Sequence, residues 1–204
     1  MGILDLFKRK NVPKKESEED IQQYMYENDI MGYRDRQDRL DYQYALLSKV
    51  NAAAAQYKQD KDLSAVIAVF EDAFIHADPP CHSSQNLDLV KFYVKAGQND
   101  KAWGYLNQLF VTQEAPVDKI RIAQANILKK ENRHIEAIKM YLMGHRAKYA
   151  FNKNVFIKDI KPSANKLGLN DTQIEYLVFM VEESASETSM LNVYNQILKE
   201  WEII

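Results

Sequence analysis

The sequence predicts an all-α protein built from consecutive helix pairs, and three observations support this prediction. The chain of 204 residues contains only 6 Gly and 5 Pro, fewer than a turn-rich β protein of this length would have. Apolar residues recur at helical spacing through most of the chain. Residues 43 to 149 also contain three similar segments, each with two helical stripes joined by a short polar turn. We therefore expect a helical-repeat architecture.

Residues 1–17 are predicted to form a flexible tail whose two halves carry opposite charge. The first fifteen residues contain five basic side chains and a single acidic one, and an acidic run follows them. The basic residues are Lys8, Arg9, Lys10, Lys14 and Lys15. An apolar tip lies before them, and this combination resembles a membrane-surface anchor. Peripheral contact with the inner membrane surface through residues 1–15 is therefore one alternative role.

Residues 18–42 are predicted to form an N-terminal helical extension. The segment is polar and rich in Tyr, and the charges alternate in sign from Arg34 to Asp41. Such alternation is typical of a solvent-facing helix that is held by close charge pairs.

The repeated segments keep a constant register at three positions. Tyr57, Tyr93 and Leu128 lie near the end of the first stripe, Val66, Ala102 and Ala137 begin the second, and Phe70, Leu106 and Tyr141 lie one turn later. In each series the spacing is 36 and then 35 residues. A steady period of this length is typical of a solenoid of stacked helix pairs.

The repeated region resembles the tetratricopeptide repeat (TPR) family. That family has a small residue before an aromatic one in its first helix, then alanine, a large apolar residue and a small residue in its second, followed by proline. The matching residues are Ala54, Tyr57, Phe70, Ala73 and Pro79 in the first segment, Tyr93, Gly97, Ala102 and Pro116 in the second, and Ala125, Ala137, Tyr141 and Gly144 in the third. The resemblance implies a right-handed solenoid of about three TPR-like hairpins over residues 43–150.

Residues 151–204 are predicted to form helices that cap this array. Pro162 and Gly168 predict a short helix, a turn and a second short helical piece. Two longer helices follow, the first opened by a capping box of Asn170 with Gln173 and the second by one of Ser184 with Glu187. Tyr194 follows Tyr141 by one period plus 18 residues, so the last two helices are interpreted as a degenerate fourth unit.

The sequence contains no pattern that predicts catalysis, a cofactor or a metal. The densest group of candidate ligands is HADPPCH at residues 76–82, where Pro79 and Pro80 stiffen the loop and no second ligand pair follows. The single Cys excludes an internal disulfide and favours a cytoplasmic location. A net charge of −2 disfavours nucleic-acid binding, and no apolar run is long enough to span a membrane.

The resemblance implies a groove lined by the first helix of each pair, where TPR proteins hold a peptide or a helix of a partner. By register, the groove residues are expected to be Asn51, Lys58, Leu87, Lys91, Lys119, Ile122, Asn126 and Lys129. Their Lys and Asn side chains suit an acidic or main-chain-presenting partner. We therefore expect a non-catalytic protein-protein interaction scaffold. The alternatives are a membrane-surface adaptor, a structural homodimer, and a regulatory or immunity-type inhibitor of a partner enzyme.

Overall fold

The structure is a computed structural model that describes residues 17–148 and 152–204. Within these residues the protein is all-helical, with ten α-helices and no strand. The all-α prediction is therefore confirmed. The predicted tail lies outside the described residues except for Ser17, and so does the proposed membrane anchor at residues 1–15. The chain divides into two compact units, residues 1–51 and residues 52–204.

The described part of the first unit contains α1 (Glu18–Glu27), a 3₁₀ turn at Ile30–Gly32, and the beginning of α2 (Tyr33–Asp60). A capping box between Ser17 and Asp20 opens α1. Arg34 reaches back to the end of α1, where its guanidinium donates to the carbonyl oxygens of Tyr26 at 3.1 Å and Glu27 at 2.7 Å. The bond to Glu27 satisfies a carbonyl group of the kind that the last turn of a helix leaves unpaired, whereas the Tyr26 carbonyl also accepts from the backbone N–H of Asp29.

The charges of the extension do not pair with one another as expected. Among the described residues, no ion pair joins side chains within the segment from Arg34 to Asp41. Asp38 instead accepts a hydrogen bond from the Tyr26 hydroxyl at 2.8 Å. The prediction of close charge pairs is wrong because Asp38 and Arg34 contact α1 instead. The sequence pattern of a single helix does not reveal such contacts with a neighbouring helix.

The long helix α2 passes through residues 42 and 43 without a break, although the predicted extension ends there. No Gly or Pro occurs between Tyr33 and Asp60, and a run of Ala residues in its middle favours helix. The division between the two units falls inside this helix, after Asn51.

The second unit continues with eight helices after the end of α2. They are α3 (Leu63–Glu71), which runs into a π-helical turn at Asp72–His76, α4 (Asn86–Lys95), α5 (Asn99–Thr112), α6 (Val117–Lys130), α7 (His134–Arg146), α8 (Lys153–Lys166), α9 (Asp171–Glu183) and α10 (Glu187–Glu200). From α3 to α10, each helix packs against the next one along the chain, and α4 also packs against α6. The core positions of the three repeated segments are buried, except that Tyr57 is half-buried.

The turns after α2, α4, α6 and α8 share one backbone feature. Each contains a residue in the left-handed region, with φ between 59° and 76°. These residues are Lys61, Gly97, Asn132 and Gly168, at spacings of 36, 35 and 36. In the last three turns the next residue donates its N–H to the carbonyl five positions back, as in a Schellman motif: Gln98 to Tyr93 at 2.8 Å, Arg133 to Leu128 at 2.9 Å and Leu169 to Ala164 at 3.0 Å. The same turn geometry thus recurs between α8 and α9.

The C-terminal helices share a core with α7. Apolar side chains at helical spacing in α9 and α10 are buried, among them Ile174, Leu177, Tyr194 and Ile197. The last helix, α10, also packs against α7, and the Tyr194 hydroxyl donates to the carbonyl of Ile135 at 2.9 Å. Because α10 contacts a helix three positions earlier, it does not simply extend a stack in which each repeat contacts its neighbours.

Two local predictions for this region are wrong. Residues Lys153–Lys166 form one helix with Pro162 inside it, not two short pieces. Pro162 removes only the bond to the carbonyl of Lys158, an exposed residue, and the buried stripe of α8 continues past it. The capping box of α10 joins Ser186 to Ser189, while Ser184 ends α9. The box of Asn170 with Gln173 is confirmed.

Among the described residues, none of the helices combines the length and the apolarity needed to cross a bilayer.

Candidate functional site

A cavity of about 510 Å³ lies between α4 and α6. Helix α4 contributes Leu87, Val90, Lys91, Val94 and Lys95, and α6 contributes Lys119, Ile122, Ala123, Asn126, Ile127, Lys129 and Lys130. Both helices are the first members of predicted helix pairs. The volume falls within the range of about 300–1,000 Å³ that is usual for ligand pockets. We call this cavity the α4–α6 groove.

The structure brings together six of the eight residues predicted for a partner-binding groove. Leu87 and Lys91 line the α4 side, and Lys119, Ile122, Asn126 and Lys129 line the α6 side. The remaining two, Asn51 and Lys58, are exposed on α2. Asn51 belongs to the first compact unit, and Lys58 lies in the second.

Aliphatic side chains form the floor of the α4–α6 groove. Val90 and Ile127 are buried, and Val94 and Ile122 are half-buried. Val90 and Val94 face the same side of α4 because they are four residues apart. The half-buried Val94 and Ile122 therefore offer apolar surface that a ligand with aliphatic side chains would remove from water.

The rim of the groove is positively charged. It carries the five lysines Lys91, Lys95, Lys119, Lys129 and Lys130, and no Asp or Glu is among the described residues that line it. The prediction omitted Lys95 and Lys130, although each continues a lysine pattern already present: Lys95 lies one helical turn after Lys91, and Lys130 follows Lys129 directly. The groove is more basic than the sequence analysis indicated.

Contacts beneath the groove hold two of its side chains in position. The buried Tyr141 of α7 donates to Oδ1 of Asn126 at 2.8 Å and accepts from Nζ of Lys129 at 3.2 Å. The amide of Asn126 also donates to the carbonyl of Ile122 at 3.0 Å. Burial raises the pKa of Tyr141, so its hydroxyl stays protonated and keeps its donor role. These bonds hold the exposed Asn126 side chain at the surface of the groove.

The wall depends on a close approach of α6 and α7, which pack together more extensively than any other two of the described helices. Gly144 of α7 is buried against α6. A Cβ atom at this position would lie 3.0 Å from Cγ1 of Ile122 and 3.1 Å from the carbonyl oxygen of Asp118. Because Ile122 is part of the groove floor, the packing at Gly144 sets the position of the floor.

The segment His76–His82 shows no arrangement suited to metal binding. Cys81 is buried, and burial raises the pKa of its thiol, which disfavours the reactive thiolate. In the part of the chain that the structure describes, no three His, Cys, Asp or Glu side chains lie close enough to hold a metal ion.

Comparisons of the chain with models of protein families, with curated proteins and with solved structures found no match.

Proposed function

We propose that the protein is a non-catalytic interaction module of TPR-like helix hairpins that binds a peptide or a helix of a partner protein in the α4–α6 groove. The observation that carries the proposal is the groove itself. Six of the residues that the TPR resemblance implies by register line one cavity with an apolar floor. Such a combination of apolar floor and polar rim is typical of peptide recognition by helical surfaces.

The turn geometry supports the repeat arrangement. The left-handed residues Lys61, Gly97, Asn132 and Gly168 recur with the period of the core positions. A repeated backbone turn is independent of the apolar pattern that suggested the repeats, since it depends on dihedral angles and hydrogen bonds. The turn spacing favours α8 with α9 as the fourth helix pair and α10 as the cap, whereas the sequence analysis interpreted α9 and α10 as that pair.

Charge reversal at the rim tests the proposed site. Lys119 and Lys130 are exposed at opposite ends of α6, and neither forms an ion pair with another described residue. We expect Lys119→Glu with Lys130→Glu to leave thermal stability nearly unchanged, because no contact within the protein is lost. The same double variant should reduce the yield of a partner that copurifies from cells that naturally produce the protein.

Lys158→Glu with Lys199→Glu provides the matched control. Both lysines are exposed, on α8 and α10, and the net charge changes equally. This variant should retain the partner at the level of the unmodified protein. A partner that is retained by both double variants would contradict binding in the α4–α6 groove.

The other roles considered from the sequence stay predictions. The membrane-adaptor role depends on residues 1–15, which lie outside the described residues. Within residues 17–148 and 152–204, no specific contact favours the homodimer or the enzyme inhibitor over the groove. We also propose that the protein is located in the cytoplasm, because a single Cys cannot form an internal disulfide.

A further inference from the structure

The charge of the α4–α6 groove contrasts with the charge of the whole chain. The chain has 27 Lys and Arg against 29 Asp and Glu, a net charge of −2. The groove nevertheless is lined by five lysines and no carboxylate of the described residues. Clustering of one sign around an apolar surface creates a field that attracts the opposite sign.

Three of these lysines have partners within the protein. Lys91 forms an ion pair with Asp88 at 2.5 Å, and Lys95 lies over the ring of Tyr57 at 5.0 Å. Lys129 donates to Tyr141. Lys119 and Lys130 have no ion-pair partner in the described part of the chain, so two ammonium groups are left available to an incoming anion.

The available lysines define the length of the site. Lys119 and Lys130 are eleven positions apart on α6, which corresponds to roughly 16 Å along the axis at about 1.5 Å per residue. This distance matches about five residues of an extended peptide or about eleven of a helix. In either conformation, aliphatic side chains can face Val94 and Ile122 while acidic ones face the rim.

We propose that the occupant of the groove is an acidic segment of a partner protein, in which Asp or Glu side chains flank a short row of aliphatic ones. This inference rests on the proposed function and specifies its ligand. The carboxylates contact Lys119 and Lys130, and the aliphatic side chains cover the floor between α4 and α6. A neutral or basic segment would leave these two ammonium groups without a counter-charge.

A selection from a displayed library of random peptides tests the inference with the full chain as bait. Peptides of about twelve residues can span the groove in either conformation. Enriched peptides should be acidic and contain several aliphatic residues. Their affinity should fall about tenfold or more in Lys119→Glu with Lys130→Glu, stay unchanged in Lys158→Glu with Lys199→Glu, and decrease as salt is raised.

Different failures have different meanings. Enriched neutral or basic peptides whose binding is lost in a Val94→Asp variant would overturn the acidic ligand and leave the groove as the binding site. The absence of any enriched peptide, or binding that neither groove variant alters, would overturn both the ligand and the proposed function. Decanoate carries a carboxylate on an acyl chain. If decanoate bound in the groove and no peptide were enriched, both the acidic peptide ligand and the proposed function would be overturned, and an acyl chain with a carboxylate head would be the ligand.

Discussion

Replacement of Gly144 by Ala tests whether the contact between α6 and α7 is as close as the structure shows. The added methyl group would lie 3.0 Å from Cγ1 of Ile122 and 3.1 Å from the carbonyl oxygen of Asp118. The Ile122 side chain can adjust by changing rotamer, but the Asp118 carbonyl belongs to the backbone of α6. Helix α6 must therefore shift away from α7 to admit the methyl group.

The expected change in the free energy of unfolding follows from two opposing effects. Ala in place of Gly within a helix stabilises by roughly 0.5–1 kcal/mol. Overpacking of a well-packed core by one methyl group typically costs about 1–3 kcal/mol. We expect the packing cost to dominate at Gly144, because one of the two close atoms is in the backbone, with a net destabilisation of about 1 kcal/mol.

Gly104 provides the matched control. It lies inside α5 and a Cβ atom there would meet nothing within 4 Å. Gly104→Ala should therefore stabilise the protein by roughly 0.5–1 kcal/mol. Urea denaturation of both variants measures the difference, which should be about 2 kcal/mol. If Gly144→Ala stabilised the protein as much as Gly104→Ala does, the close packing of α6 on α7 would be refuted.

Two further predictions concern the buried tyrosines. Tyr141→Phe should lower the free energy of unfolding by about 1 kcal/mol, because the hydroxyl's bonds to Asn126 and Lys129 are lost; an unchanged urea midpoint would contradict a stabilising role for these bonds. Burial raises the pKa of Tyr93, Tyr105, Tyr141 and Tyr194 above the ordinary value of 10.0. The folded state therefore favours the neutral phenols, and this stability is present below pH 10 and lost as pH rises above it. The loss amounts to up to about 1.4 kcal/mol per pH unit for each tyrosine. Of the 12 tyrosines, these four should contribute tyrosinate absorbance only together with unfolding, and ionisation of all 12 in the folded protein would contradict the burial.

Helix positions could be predicted from the sequence because they depend on local periodicity, and the apolar stripes specify which face of each helix is buried. The groove residues were instead expected from the resemblance to TPR proteins, and six of those eight residues line one cavity. The turn after α8 could also have been predicted from the sequence, since Gly168 follows Gly97 and Asn132 at the repeat period. These residues are of two types, Gly and Asn, and what they share is a left-handed backbone conformation that the structure reveals.

The features that could not be predicted depend on contacts between distant segments. The return of α10 onto α7 uses the bond from Tyr194 to Ile135, and an ion pair also joins Glu187 of α10 to Arg121 of α6. No local pattern indicates that these residues meet. Likewise, the contact of Arg34 with α1 arises from the turn at Ile30–Gly32, whose geometry determines which charges of α2 can reach a neighbour.

Photo-crosslinking in cells that naturally produce the protein tests the central claim most directly. Benzoylphenylalanine would replace Val94, which lines the α4–α6 groove, or Val111, which is 78% exposed on α5. We predict a discrete crosslinked partner from position 94 that disappears when Lys119→Glu and Lys130→Glu are added. The absence of a crosslink from position 94, with or without one from position 111, would contradict binding in the groove.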